Sequence, residues 1–233
     1  MRTIRKNREP ACLVAHRCKP GAVYDERGMV PGDGPNPSEL PGDAKEELRD
    51  ALVNEQRGLC CYCCCAIAPT WDGVRIEHWE PISLFPERQL DYSNLMAACK
   101  GDIGTHRHCD VRKGNETLSR NPSNPVHRVE DIVHYRTDGT IRSTDLTFDG
   151  ELGETEGSAA ANPERVLNLN LAFLCNHRKA VMDSFTHGLQ KRGQLDRPAL
   201  QRLLAKWSGD QGGRLEPFSP VVVWWLRKRL NRA

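Results

Sequence analysis

The chain reads as an α+β protein built around a metal, and three observations predict this. Short apolar strand signals, at Val74–Ile76 and over 132–136 and 140–142, alternate with longer spans of helical periodicity. Five cysteines crowd into the six positions of Cys60-Cys61-Tyr62-Cys63-Cys64-Cys65. Gly 19, Pro 15 and only 38% hydrophobic residues in 233 describe a loop-rich molecule rather than a helical bundle.

The elements follow in order. Residues 19–43 are dense in Gly, Pro and Asp and read as an extended arm or loop. Ser38 or Asp43 is placed to cap a helix over 44–57, with Leu48, Ala51, Leu52 and Gln56 near one face and Gly58 as its stop. The cysteine cluster comes next, then the strand at Val74-Arg75-Ile76 and a turn-rich span with Pro81 and Pro86. A polar stretch carries His106, His108 and Cys109. Ile132–Arg136 and Thr140–Arg142 flank Asp138-Gly139, a hairpin signal, because both residues tolerate the positive φ of a tight turn. Glu151–Ala161 reads as a mobile loop. Helices are predicted over Asn170–Lys191, Pro198–Trp207 and Pro220–Leu230, the last carrying Trp224 and Trp225 beside Arg227, Lys228 and Arg229. There is no internal repeat or heptad array.

A formal net charge of +2 gives no class of partner by itself, so nucleic-acid binding has to rest on local patches. Two exist: Arg2, Arg5, Lys6 and Arg8 at the start, and Arg227, Lys228, Arg229 and Arg232 at the end. No apolar run approaches the roughly 18 residues of a membrane span. The basic start continues into Lys6-Asn7-Arg8-Glu9-Pro10, where a signal peptide needs an apolar stretch. The expectation is a cytoplasmic protein, and in a reducing compartment clustered cysteines point to metal.

Zinc takes four soft or borderline ligands in a tetrahedron, and two ligand pairs from separate segments supply them. Cys60-x-x-Cys63 is one such pair. Cys99 and Cys109 are the other, spaced widely enough to require a loop between them, and His106 or His108 can replace Cys109. A thioredoxin-like redox pair would need a βαβ surround, which is missing. Glu77-His78 sits at the end of the predicted strand. A carboxylate there can bind a hard cation while a neutral imidazole takes a proton from water. Asn94 can hold a loop or the imidazole. Asp110, directly after Cys109, would be carried by the zinc site toward Glu77, and two carboxylates suit Mg²⁺.

In this order (CxxC, Glu77-His78, Asn94-Leu95, then Cys99 and Cys109-Asp110 with Lys113-Gly114) the chain resembles the HNH, or ββα-metal, endonucleases. It looks most like the PtuB-like nuclease subunit of Septu-type and retron-associated anti-phage systems. Met1–Lys6 with Pro10, Trp79-Glu80-Pro81, Asp91-Tyr92-Ser93 and Val166–Asn170 add to that resemblance. It implies a zinc-stabilised ββα-metal core over 44–125, an N-terminal arm over 1–43 suited to partner docking, and a mainly helical accessory region over 126–233. It also implies His78 as general base, Glu77 and Asp110 as ligands of catalytic Mg²⁺ or Mn²⁺, and Asn94 as the residue orienting the base or its loop. Cys60, Cys63, Cys99 and Cys109 would hold structural Zn²⁺, the register chosen over Cys61–Cys64. Many HNH enzymes carry Asp where this chain has Glu77, and His or Asn where it has Asp110, which leaves the ligand set open.

The function this implies is hydrolysis of phosphodiester bonds, in DNA before RNA, with Arg112 and Lys113 adding phosphate contacts. The resemblance also implies a PtuA-like ABC/SMC-type ATPase as partner, since this chain has no Walker A motif of its own. The competing reading is a non-catalytic zinc module that binds nucleic acid or protein.

Overall fold

The computed structural model describes residues 1–24, 38–104, 106–153, 166–190, 195–209 and 212–231. Residues 25–37 of the arm, the greater part of the Glu151–Ala161 loop, Lys191 and Arg232 lie outside them. The architecture is mixed: among the described residues, helices accompany three separate two-stranded antiparallel ribbons. No described helix is long and apolar enough to cross a membrane.

The N-terminal segment is packed rather than loose. Met1 and Ile4 are buried, and the Ile4 amide donates to the Pro122 carbonyl at 2.8 Å. Pro10 precedes a short helix α1 (Ala11–Arg17) that buries Leu13 and His16, an element the sequence reading left inside the arm region. The arm's described ends are pinned by a bridge between Val23 and Glu39.

Helix α2 (Gly42–Glu55) begins two residues before the expected position. Neither Ser38 nor Asp43 caps it. Pro41 occupies the cap position, and Asp43 falls inside the first turn, where its carboxylate favours the helix N-terminus. Leu48, Leu52 and Val53 are completely buried, each contributing about 1.5–3 kcal/mol of apolar transfer. Gly58 stops the chain as expected: φ is +76°, and its amide donates back to Val53. Gln56 then does the work of a strand edge. Its amide accepts from the Ala97 amide and donates to the Ala97 carbonyl, both at 2.7 Å.

Strand β1 (Arg75–His78) pairs with β2 (Leu95–Ala98), setting Glu77 opposite Met96 and His78 opposite Leu95. Both strands are buried on each face over Ile76–His78 and Leu95–Ala98, so alternation is missing and the strand runs two residues past the apolar signal. A small ribbon, β3 (Asp102–Ile103) and β4 (His106–Arg107), precedes a five-residue helix α3 (Cys109–Lys113).

The C-terminal half contributes α4 (Val129–Ile132), the hairpin β5 (Val133–Tyr135) and β6 (Ile141–Ser143), then α5 (Leu146–Leu152). The hairpin is where Asp138-Gly139 placed it, with Gly139 at φ +86°. Glu151 and Leu152 are helical, not loop, because Asp145 caps α5 by accepting from the Phe148 amide at 3.0 Å. Three further helices follow near their expected bounds: α6 (Ala172–Gln190), α7 (Arg197–Ser208) and α8 (Pro220–Leu230). Arg178 on α6 is buried, donating to the Gly139 and Leu169 carbonyls at 2.6 Å each. One apolar cluster draws on Met1, Leu48, Met96, Ile141, Leu174 and Val221, so the two halves share a core.

Candidate metal centre and the adjoining carboxylate–imidazole cleft

Cys60 and Cys63 sit on a tight turn after α2, closed by Cys60 donating to the Cys65 carbonyl and Cys64 donating to the Cys60 carbonyl. Cys99 directly follows β2 and Cys109 opens α3. The wide spacing of this second pair is bridged by the β3–β4 ribbon. Gly101 lets the two arms meet: it has φ +61°, and a Cβ there would collide with the His108 carbonyl oxygen. The His108 amide closes the neck onto the Gly101 carbonyl at 2.9 Å.

All four sulfurs are buried and lie within 4.8 Å of one another. Cys60–Cys109 and Cys63–Cys99 are 3.9 and 3.7 Å apart. A tetrahedron with Zn–S bonds of about 2.3 Å has edges of about 3.8 Å. Four buried thiols at this spacing can hold a structural zinc. The protonation pattern agrees. Hydrogen bonding from Cys109 helps hold the Cys99 thiol down at about 6, while Cys109 is pushed well up by burial. The cluster therefore carries protons that an incoming metal would displace. Cys61 and Cys64 are outside this set and are pushed up by burial, as neutral thiols. His106 is exposed, and His108 lies beside the cluster with Nε2 3.7 Å from Cys99 Sγ.

Helix α3 carries Asp110 and Lys113 to Glu77 on β1. The Glu77 carboxylate is 1% exposed; its Oε1 accepts from Tyr62 at 2.7 Å and meets Lys113 Nζ at 2.9 Å. Lys113 Nζ also donates to the His78 carbonyl at 3.0 Å. Burial and then the neighbouring Asp110 push the Glu77 carboxyl well above the usual carboxylate range. Asp110 is itself paired with Arg75 Nε at 2.6 Å. Two adjoining carboxyl groups, one of them deeply buried, form an oxygen donor set suited to a hard cation. Within the protein that need is met by Lys113 and Arg75.

The His78 imidazole is oriented by the backbone. Nε2 lies 2.9 Å from the Gln89 carbonyl, which can only accept, so Nε2 carries the hydrogen and Nδ1 keeps its lone pair. Burial lowers the His78 pKa to about 4, so the ring is neutral at pH 7. Asn94 does not touch the ring. Its side chain accepts from the Glu80 amide at 2.8 Å and donates to the Glu80 and Arg88 carbonyls, holding the loop that presents Gln89. A cleft of about 310 Å³ is lined by Glu77, His78 and Asp110, together with Arg75, Ser83 and Asn115.

The structure thus brings Glu77, His78 and Asp110 to one cleft, with Asn94 behind it. It separates the two expected phosphate contacts: Arg112 is exposed, whereas Lys113 is 2% exposed and committed to Glu77. Sequence reading missed Tyr62, Arg75 and Gln89. Tyr62 stood inside the cysteine motif, but nothing in the motif says that its hydroxyl faces Glu77, and the Gln89 carbonyl leaves no trace in side-chain chemistry. Neither a protein-family model nor a curated protein matches this chain.

Proposed function

We propose that this chain is a metal-dependent endonuclease of the HNH type, cutting phosphodiester bonds of nucleic acid, DNA before RNA. The observation that carries the reading is His78. It is a neutral imidazole with its Nε2 hydrogen fixed and its Nδ1 lone pair available, next to the Glu77–Asp110 carboxylates on a strand–strand–helix unit. The buried Cys60, Cys63, Cys99 and Cys109 cluster supports it, since zinc there would tie α3 to the β1–β2 ribbon.

In the proposed step, His78 Nδ1 takes the proton of a water whose oxygen bonds to phosphorus, and the bond from phosphorus to the leaving oxygen breaks. General-base catalysis of this kind contributes typically about 10²–10⁴-fold. A Mg²⁺ or Mn²⁺ ion held by Glu77 and Asp110 would polarise the phosphate and stabilise the leaving oxygen. Asn94, through its loop, keeps the Gln89 carbonyl on Nε2 and hence the tautomer. Arg112 remains available to phosphate. The activity would serve anti-phage defence under a partner ATPase of the ABC/SMC type.

One observation favours a second reading, a zinc module without catalysis: Lys113 and Arg75 already neutralise the two carboxylates. A plasmid cleavage assay separates the two. Mg²⁺- or Mn²⁺-dependent cutting by the wild type, alone or with the ATPase, and its loss in His78→Ala at unchanged zinc content, supports the nuclease. Equal cutting by His78→Ala sinks it.

A further inference from the structure

A second cleft lies apart from the one holding His78. It measures about 1150 Å³, against about 310 Å³, and the two share no lining residue. The N-terminal segment Met1–Asn7, α4, α7 and α8 contribute to its walls. Six basic side chains line it: Arg2, Arg5, Lys6, Arg57, Arg128 and Arg227. Three of them are answered by carboxylates on the cleft wall, in the pairs Lys6–Glu55, Arg128–Asp131 and Arg227–Glu130. Arg2, Arg5 and Arg57 have no ion pair among the described residues.

Arg57 is held in place by its other nitrogens, which donate to the Gly209 and Gly213 carbonyls, while its buried NH2 group has no hydrogen-bond partner. Burial lowers the Arg2 pKa; Cys64 and Glu130 oppose that shift, and the like charges of Arg57 and Arg227 add to it. These guanidinium groups therefore feel one another across the cleft. Glu130 already meets Arg227 and the Thr3 amide. The wall is left with uncompensated positive charge, and Arg2 and Arg5 present it as forks that bind phosphate oxygens two at a time. Arg57, with Nε and Nη1 taken by carbonyls and Nη2 buried, adds charge but no phosphate contact.

We infer that this cleft binds a single-stranded segment of nucleic acid through its phosphates. The volume exceeds the roughly 300–1,000 Å³ of small-molecule pockets, which suits several linked nucleotides better than one. Trp207, edge-on to Phe185, and Trp224, edge-on to Tyr135 with Lys228 over its ring, are partly buried and line the same cleft. Stacking on a base would compete with these contacts. The choice of nucleic acid over an acidic protein segment rests on the nuclease reading more than on those rings.

The test is fluorescence anisotropy of a labelled twelve-residue oligothymidylate with the full zinc-loaded chain in Mg²⁺-free buffer, where binding is read whether or not the chain cuts. Two phosphate contacts, from Arg2 and Arg5, give a log–log salt slope of about 1.4, at about 0.7 per contact. Arg5→Ala and Arg2→Ala should each lower that slope by about 0.7, and Arg2→Lys should restore it. Arg136→Ala, an exposed cation outside the cleft, should leave it unchanged. Arg5 is exposed, so its replacement tests the cleft without threatening the fold. Wild-type slopes in both alanine variants would overturn the inference, as would displacement of the oligonucleotide by deca-glutamate at lower concentration than by unlabelled strand. Arginine-dependent binding with no cleavage under any condition would leave the cleft standing and remove the nuclease reading alone.

Discussion

Replacing Lys113 with methionine isolates the electrostatics of the candidate site. The side chain is 1% exposed, and its ammonium bridges Glu77 and the His78 carbonyl at 2.9 and 3.0 Å. Methionine keeps the length and apolar stem but removes the charge. Glu77 then has Tyr62 as donor but no cation, with Asp110 still beside it. Breaking one side of a buried pair costs about 3–5 kcal/mol. At roughly 2–4 °C per kcal/mol for a chain of this size, Tm should fall by about 6–20 °C. The loss should depend on pH. The Glu77 pKa is already raised, and removing the ammonium raises it further. The stability that comes with a protonated carboxyl is complete at low pH and is lost as pH rises through the folded-state pKa. The variant should thus lie closer to wild type at pH 5.5 than at pH 8. Thermal unfolding of zinc-loaded protein, followed by circular dichroism at both values, measures this. Added Mg²⁺ should stabilise the variant more than the wild type, because the ion replaces the missing charge. A variant within about 2 °C of wild type at both pH values would refute the reasoning: it would mean that no ionised Glu77 needs the ammonium.

Three other outcomes follow from the same geometry. The His78 pKa lies near 4 in the fold and near 6.5 unfolded, so the folded state binds fewer protons between those values and stability rises with pH across that window. Chemical denaturation of wild type against His78→Asn, without Mg²⁺, should show up to about 3 kcal/mol of this dependence disappearing; equal slopes would contradict it. Gly101→Ala forces a side chain into a positive φ against the His108 carbonyl. It should cost at least about 1–3 kcal/mol and weaken zinc retention in a chelator competition, whereas an alanine with unchanged retention would show that the neck is pliable. Cys63→Ser should lose bound zinc by elemental analysis, while Cys61→Ala should keep it, and the reverse pattern would move the ligand register by one residue.

Much of this was legible in the sequence, for identifiable reasons. A cysteine set able to hold zinc could be read because metal chemistry fixes residue types, while the register Cys60, Cys63, Cys99 and Cys109 came from the family resemblance. Gly58 and Asp138-Gly139 could be read because positive φ restricts which residues fit. Helices α6, α7 and α8 declared themselves through length and apolar spacing, whereas the cap of α7, Asp196 accepting from the Ala199 amide, was not read. Elements too short to show a period did not: α3 has five residues, and α1 only seven. Strand β1 was located but ended two residues short, because burial on both faces erases alternation. Lys113 was misread for a different cause. A lysine at a helix end is normally solvated, and only the tertiary approach of α3 to β1 tells that this one is interior.

That approach is also what makes the small helix α3 significant despite its length. Five residues cannot hold a helix in water by propensity. Here α3 is fastened at its start by Cys109, within reach of the other three thiols, and by the Cys109 amide donating to the Leu167 carbonyl at 2.9 Å. At its end Lys113 is locked to Glu77 and the His78 carbonyl. Asn168 reinforces the first clamp by donating to the Arg107 carbonyl at 2.9 Å, and Asn170 ties the same segment to Ile141 of the distant hairpin. The C-terminal half thus braces the element that carries Asp110, although it supplies no residue to the cleft lined by Glu77 and His78. A deletion that removed the C-terminal half would therefore be expected to disturb the spacing between Asp110 and Glu77 even with all four cysteines in place.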